Sequence, residues 1–194
     1  AGFILNPVSK QPGAWMSPNG IPVDLMVPEH LAGPGSRRGV RIPPHGKHSA
    51  RRAAGLEAAI IDQAPMTVES LDDDGRSAVI NVAGPAALLV AKLHKLGERA
   101  DAPDRLNDKD AHDVYRLLVV TETRDLAETV RLLLADELSQ AATTQALTYL
   151  GRLFASPEAL GSTMAGRAEE GVGQPETVSA SVSVLAQDLL SAVG

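Results

Sequence analysis

Apolar positions along this chain follow two different periods. From Gly2 to Ser70 they come in short runs, "GFILN", "IPVDLMV", "LEAAIID" and "MTVES", each the length of a strand and each bounded by turn formers. "DDDGRSAVINV" then sets a turn at Asp74 and Gly75 ahead of another strand, Ala78 to Val82, which pairs as a hairpin with Met66 to Ser70. After Gly84 the period lengthens to 3.6. Pro85 suits a first helical position, and "PAALLVAKLHKLGERA" continues from it for about four turns. Asp108 is the expected cap of a second helix, "KDAHDVYRLLVV", and Thr123 that of a third, "RDLAETVRLLLADEL". "QAATTQALTYLGRLFA" and "SVSVLAQDLLSAV" read as two more helices. The Gly-rich "GRAEEGVGQPE" between them reads as a connection that is mobile near 166–175. The pattern therefore predicts an α+β chain with a sheet-rich part over 1–83 and an all-helical part over 84–194.

Composition narrows the class. With 194 residues the chain can bury a core without staples, and with no cysteine it has neither disulfides nor thiolate metal sites. No apolar run approaches a membrane span and the first residues lack the features of a signal peptide, so a soluble, cytoplasmic protein with no membrane partner is expected. The first residue is not methionine and opens what reads as a strand, so a lost upstream segment is expected as well. A net charge of −6 argues against indiscriminate nucleic-acid binding. One patch departs from that balance. "SRRGVRIPPHGKHSARR" carries Arg37, Arg38, Arg41, Lys47, Arg51 and Arg52 with two histidines and no acid, which suits contact with phosphate or RNA, or a solvated loop.

Three constellations carry candidate chemistry. On the first long helix Lys92, Lys95 and Arg99 project from one narrow face beside Leu89, Leu93 and Leu96. Such a basic stripe can meet phosphate, or can lay its stems over apolar surface and leave its charges in water. On the second helix Asp110 falls among Val114, Leu117 and Leu118, with Asp113 at the edge of that face. An inward carboxylate needs a partner, because burying an isolated charge costs several kcal/mol. Lys92 and Arg99 are the obvious partners if the helices pack antiparallel; an exposed first turn, where acids are favoured anyway, is the alternative. The third constellation is Asp24 within "IPVDLMV". On an alternating strand it shares a face with Pro22 and Met26, where a carboxylate can serve a hard metal ion or simply face solvent.

These residues resemble the nucleotidyltransferase superfamily, in particular its AbiEii-type branch of toxins. "KLHKLGER" and "KDAHDVYRLL" are similar to that family's paired helical motifs, and "VDLMV" to its third acidic strand. The resemblance spans about Gly20 to Leu118 and implies a nucleotidyltransferase-like mixed sheet packed against helices. It implies Mg2+ held by Asp24 and a nucleoside triphosphate bound through Lys92, with Lys95, Arg99 and Lys109 beside it. Asp110 and Asp113 would anchor the lysine, and the reaction would transfer a nucleotidyl group to a hydroxyl of a tRNA or protein acceptor. A toxin-type member would also have an antitoxin partner. The departure lies upstream of Asp24, where "AGFILNPVSKQPGAWMSPNG" contains none of the Gly-Ser and Asp-x-Asp element of the family. The expectation is a truncated chain, inactive as it stands.

Two other functions compete. A non-catalytic module on the same fold would bind nucleotide, RNA or protein through the basic patch. The pair His112-Asp113, with His94 upstream, is the seed of an HD-type metal phosphohydrolase, although His94 projects about 160° from Lys92 on the helix.

Overall fold

The computed structural model describes the whole chain except residues 1, 10, 35–37, 41, 47, 72 and 73. By its internal contacts the chain divides into two compact units, Ala1–Glu57 and Ala58–Gly194. The boundary expected at 83 is thus displaced upstream, and the β-hairpin belongs to the helical unit. Both sheets and helices are present, and among the described residues no helix is long and apolar enough to cross a membrane.

The first unit contains two three-stranded sheets. β1 (Ile4–Leu5), β2 (Ala14–Met16) and β3 (Pro22–Asp24) pair antiparallel in that order. β4 (Met26–Pro28) pairs parallel with β6 (Ala50–Ala53), whose other edge takes β5 (Gly39–Val40) antiparallel. The run "IPVDLMV", expected as one strand, is therefore two. The break falls at Leu25, where the backbone changes partners: its N–H donates to Gly13 (2.7 Å) and its carbonyl accepts from Arg51 (2.9 Å). Gly13 sits at the crossing with φ +79°, and a Cβ there would lie 2.2 Å from the Leu25 carbonyl oxygen, so no side chain fits. The Trp15 indole adds a stitch to the Ser49 carbonyl at 2.8 Å.

In the second unit "LEAAIID", expected as a strand, supplies instead the short helix α1 (Ala58–Ile61), whose Ala58 enters the main core. A continuous apolar run of that length fits either structure, and here packing against the helices decides. β7 (Gln63–Glu69) and β8 (Ser77–Ala83) form the expected hairpin. Its register places Ala64, Met66 and Val68 opposite Val82, Ile80 and Ala78. Alternation along both strands puts these six on one face.

Helices α2 (Pro85–Gly97), α3 (Asp108–Val120), α4 (Thr123–Ala135), α5 (Gln140–Phe154), α6 (Leu160–Arg167) and α7 (Pro175–Val193) build the rest. Their seams, including Leu89, Leu93, Val114, Leu126, Leu133, Leu150, Phe154 and Leu189, form one contiguous core. Two caps differ from expectation. Asn107, not Asp108, caps α3, its side-chain oxygen accepting the Lys109 N–H at 3.0 Å. Glu122, without a side-chain capping bond, precedes α4, and Thr123 is its first residue. Helix α6 falls in a stretch left unassigned by its period, being short and holding two glycines, Gly161 and Gly166. α7 starts earlier than its apolar pattern, at Pro175. The segment between them is closed by backbone hydrogen bonds, among them Glu169 to Gly166 and Gly173 to Glu169, both 2.9 Å.

Candidate functional site

Helices α2 and α3 place the candidate residues. α2 starts where Asp62, just beyond α1, reaches its first turn: one carboxylate oxygen accepts the Ala87 N–H at 2.9 Å. Gly84 permits that approach, since a Cβ there would sit 2.0 Å from the same carboxylate. Leu89, Leu93 and Leu96 then point into the core and turn Lys92, Lys95 and Arg99 toward α3. At the other end of α2, Gly97 lies flat against the Tyr149 ring, where a Cβ would meet ring atoms at 2.4 Å. This contact fixes the end of the helix that carries Lys95, with Arg99 in the turn just beyond it.

The charged groups interlock across the two helices. Lys92 Nζ donates to Asp113 at 2.6 Å and to Asp110 at 3.2 Å, and Lys95 Nζ donates to Asp110 at 2.7 Å. Lys109 reaches Asp113 at 3.1 Å from one turn earlier, while Arg99 stands 3.9 Å from the second Asp110 oxygen. The contacts run in opposite senses along the helices, Lys92 toward Asp113 and Arg99 toward Asp110, as antiparallel packing requires. Asp110 is only 5% exposed.

Burial and pairing pull the ionisation of these groups in opposite directions. Desolvation pushes the Asp110 carboxyl up, but hydrogen bonds from Lys95 and Lys92, with their charges, outweigh it and hold the group below its ordinary value. Asp113 behaves in the same way, held down against burial by Lys92 and Lys109. Lys92 is the mirror case: burial lowers it, and Asp113 and Asp110 together raise it above its ordinary value. All three groups stay charged near neutrality. Chemically this is a locked lysine between two carboxylates, with further cations on its exposed side.

Asp24 belongs to the first unit, at the end of β3. Its carboxylate is more than half exposed and stands 3.7 Å from the Arg51 guanidinium, which also donates to Gln11 at 2.5 Å. Among the described residues no group of three or more His, Asp and Glu gathers as metal ligands do. A single exposed carboxylate with a cation beside it does not fit a Mg2+ site, which needs several hard oxygen donors and little competing positive charge. In the basic patch Arg52 donates to the Gly33 carbonyl and Arg51 is engaged as above, so both serve their own unit. Arg38 is exposed. Arg37, Arg41 and Lys47 lie outside the described residues.

The histidines go elsewhere. His94 is buried, its Nε2 2.8 Å from the Ala142 carbonyl and its ring edge-on to Tyr149. His112 turns toward Glu169, with Nε2 2.5 Å from the carboxylate but not aligned as a hydrogen bond, while Asp113 turns toward Lys92. Adjacent in sequence, His112 and Asp113 thus serve different neighbours, which is not how a shared metal would hold them. Arg167 joins the same end of α3 through a two-point contact with Asp108, at 2.7 and 3.1 Å. Neither of these long-range pairs leaves a local trace in the sequence. The Lys95–Asp110 bond does have a signal in the sequence, since Lys95 shares the face of Lys92.

No protein-family model matches the chain, and no curated protein or solved structure matches it either.

Proposed function

We propose that the chain is nucleotidyltransferase-like, belonging to a protein that transfers a nucleotidyl group from a nucleoside triphosphate to an acceptor hydroxyl, on tRNA or protein. The observation that carries this reading is the cluster itself. The residues that resemble the family's paired helical motifs, Lys92 with Asp110 and Asp113, meet at hydrogen-bond distance across α2 and α3. Phosphoryl chemistry rests mainly on positioning and on neutralising phosphate charge, and a basic face held by one buried and one half-buried carboxylate suits both needs. The described residues do not fit Mg2+, so no step is routed through a metal. The test is transfer of label from α-labelled nucleoside triphosphates to tRNA or protein, assayed with this chain and with its full gene product. Label appearing on an acceptor, and lost in Asp110→Asn, supports the reading; a gene product without an Asp-x-Asp element and without transfer removes it.

A second reading draws support from Asp24. A lone carboxylate beside Arg51 suits a fold that binds without catalysing, and such a module would hold nucleotide, RNA or a protein partner such as an antitoxin. Nucleotide binding without transfer by the full gene product is the outcome that selects it.

A further inference from the structure

Among the described residues β7 and β8 form the only sheet of the helical unit, and that sheet has just two strands. A lone hairpin is marginal in water, where three or more strands are needed for independent stability. None of its strand residues is buried, and Met66 and Ile80, a cross-strand pair on its apolar face, are 54% and 49% exposed. The ends of the ladder fix the direction of its backbone groups. The Ser70 N–H donates to the Arg76 carbonyl and the Gly84 N–H to that of Asp62, both at 2.9 Å, and these pairs continue the register of the strands. Hydrogen-bonded pairs of an antiparallel ladder recur at every second residue. Even-numbered residues therefore bond across the hairpin, and odd-numbered ones turn their N–H and C=O groups outward. The two outer edges differ. That of β7 holds Pro65, which has no N–H, and Glu69, both of which blunt an edge against pairing. That of β8 holds Ser77, Val79, Asn81 and Ala83, with neither proline nor charge.

We infer that the outer edge of β8 docks a second copy of this chain, antiparallel about a two-fold axis at Ile80, to complete a four-stranded sheet. A two-fold interface requires that when one residue meets another the reverse contact also forms. About Ile80, Val79 meets Asn81 of the second copy and Ser77 meets its Ala83, so the residues that pair are those whose backbone groups point outward. Ile80 then stands opposite Ile80 in the closer, non-bonded arrangement, and Met66 flanks it on either side of the same face. Charge favours a second copy over an arbitrary strand. Arg76 comes opposite Gly84 of that copy, where the Asp62 carboxylate occupies the space of the missing side chain. The exposed guanidinium, whose ion pair within its own chain is with Asp74, meets an acid there, and symmetry forms the contact twice. This docking is independent of the nucleotidyl-transfer reading.

The experiment is sedimentation equilibrium of the full chain over a concentration series, with circular dichroism and urea midpoints to establish that each variant is folded. A monomer–dimer equilibrium is expected, with Kd on the order of 10–100 μM, as suits a small interface. Val79→Pro removes an outward N–H and spares the bonds within the hairpin, while Ile80→Lys sets two ammonium groups opposite each other across the axis. Each should weaken the dimer at least about tenfold. Thr67→Pro, the matched change on the outer edge of β7, should leave it unaltered. A chain that stays monomeric up to about tenfold above that Kd range overturns the inference. So does a dimer indifferent to Val79→Pro and Ile80→Lys, an equal loss in Thr67→Pro, or growth beyond two copies, since one two-fold edge closes at the dimer. Arg76→Glu places like charges together and should weaken the dimer roughly threefold; no change there would overturn the contact with Asp62 that favours a second copy.

Discussion

At the scale of single residues Asp110 is the most informative position. Its folded carboxyl lies below its ordinary value, and so does that of Asp113. A depressed acid contributes stability that is complete above its unfolded value, about 4, and is lost as the pH falls through the folded value. Lys92 is raised, so its contribution is complete below about 10.5 and is lost as the pH climbs past the folded value. Asp110→Asn should therefore cost about 2 kcal/mol at pH 7, since it removes the charge from a buried pair whose lysines can partly rehydrate. The gap from the parent protein should begin to narrow as the pH falls below about 4 and should close only below the depressed folded value, where the parent also loses that charge. Urea midpoints measured from pH 3 to pH 8 give the answer; a constant gap across that range would mean that the pairing contributes nothing. The sequence made this pair legible because both helices keep their 3.6 period and an acid on an apolar face demands a cation. The break in the strand beside Asp24 was illegible for the converse reason. Alternation over seven residues looks like one strand, and the change of partners at Leu25 depends on Gly13 and Arg51, which lie far away in the chain.

At the scale of elements, the start of α2 shows how distant residues finish what local sequence begins. Pro85 fixes the first helical position, but Gly84 has no side chain with which to cap the freed N–H groups. Asp62 supplies the missing acceptor from outside the helix. Asp62→Ala should destabilise the second unit by about 1 kcal/mol, the usual cost of losing a cap. Gly84→Ala should cost at least as much, because its methyl group would occupy the space of the Asp62 carboxylate. The double variant should lose less than the sum of the two, since one contact underlies both effects. Denaturant unfolding of the four proteins tests this, and strict additivity would show that Asp62 does not act through Gly84. Helix existence from α2 to α5 was readable from period and punctuation alone. α6 was not, because eight residues with two glycines carry too little pattern, and its place is set by packing: a Cβ on Gly161 would strike the Phe154 ring at 2.5 Å.

At the scale of the whole molecule the two units are held by very different cores. The helical unit joins the buried seams of α2 to α7 into one cluster of Leu, Val, Ala, Met and Phe. Among the described residues of the first unit the buried apolar ones are small, Ala14, Val40 and Ala50, and its strands are two to four residues long. Backbone stitches such as those of Gly13 and Leu25 carry much of its order. Each such bond contributes only about 1 kcal/mol net, whereas a fully buried Leu or Phe contributes roughly 1.5–3 kcal/mol. Local opening should consequently be easier in Ala1–Glu57 than in the helical unit. In native-state hydrogen exchange the ladder amides of β2, β3 and β6 should exchange at least about tenfold faster than those in the middle of α2, α5 and α7, after correction for intrinsic rates. Equal protection in both sets would mean that the two units open as one, and that the small first core draws stability from somewhere other than its own contacts. The same gradient suits the chemistry proposed for α2 and α3. The cations that must stay in register belong to the unit with the larger core, anchored at one end by Asp62 and at the other by the Gly97–Tyr149 contact.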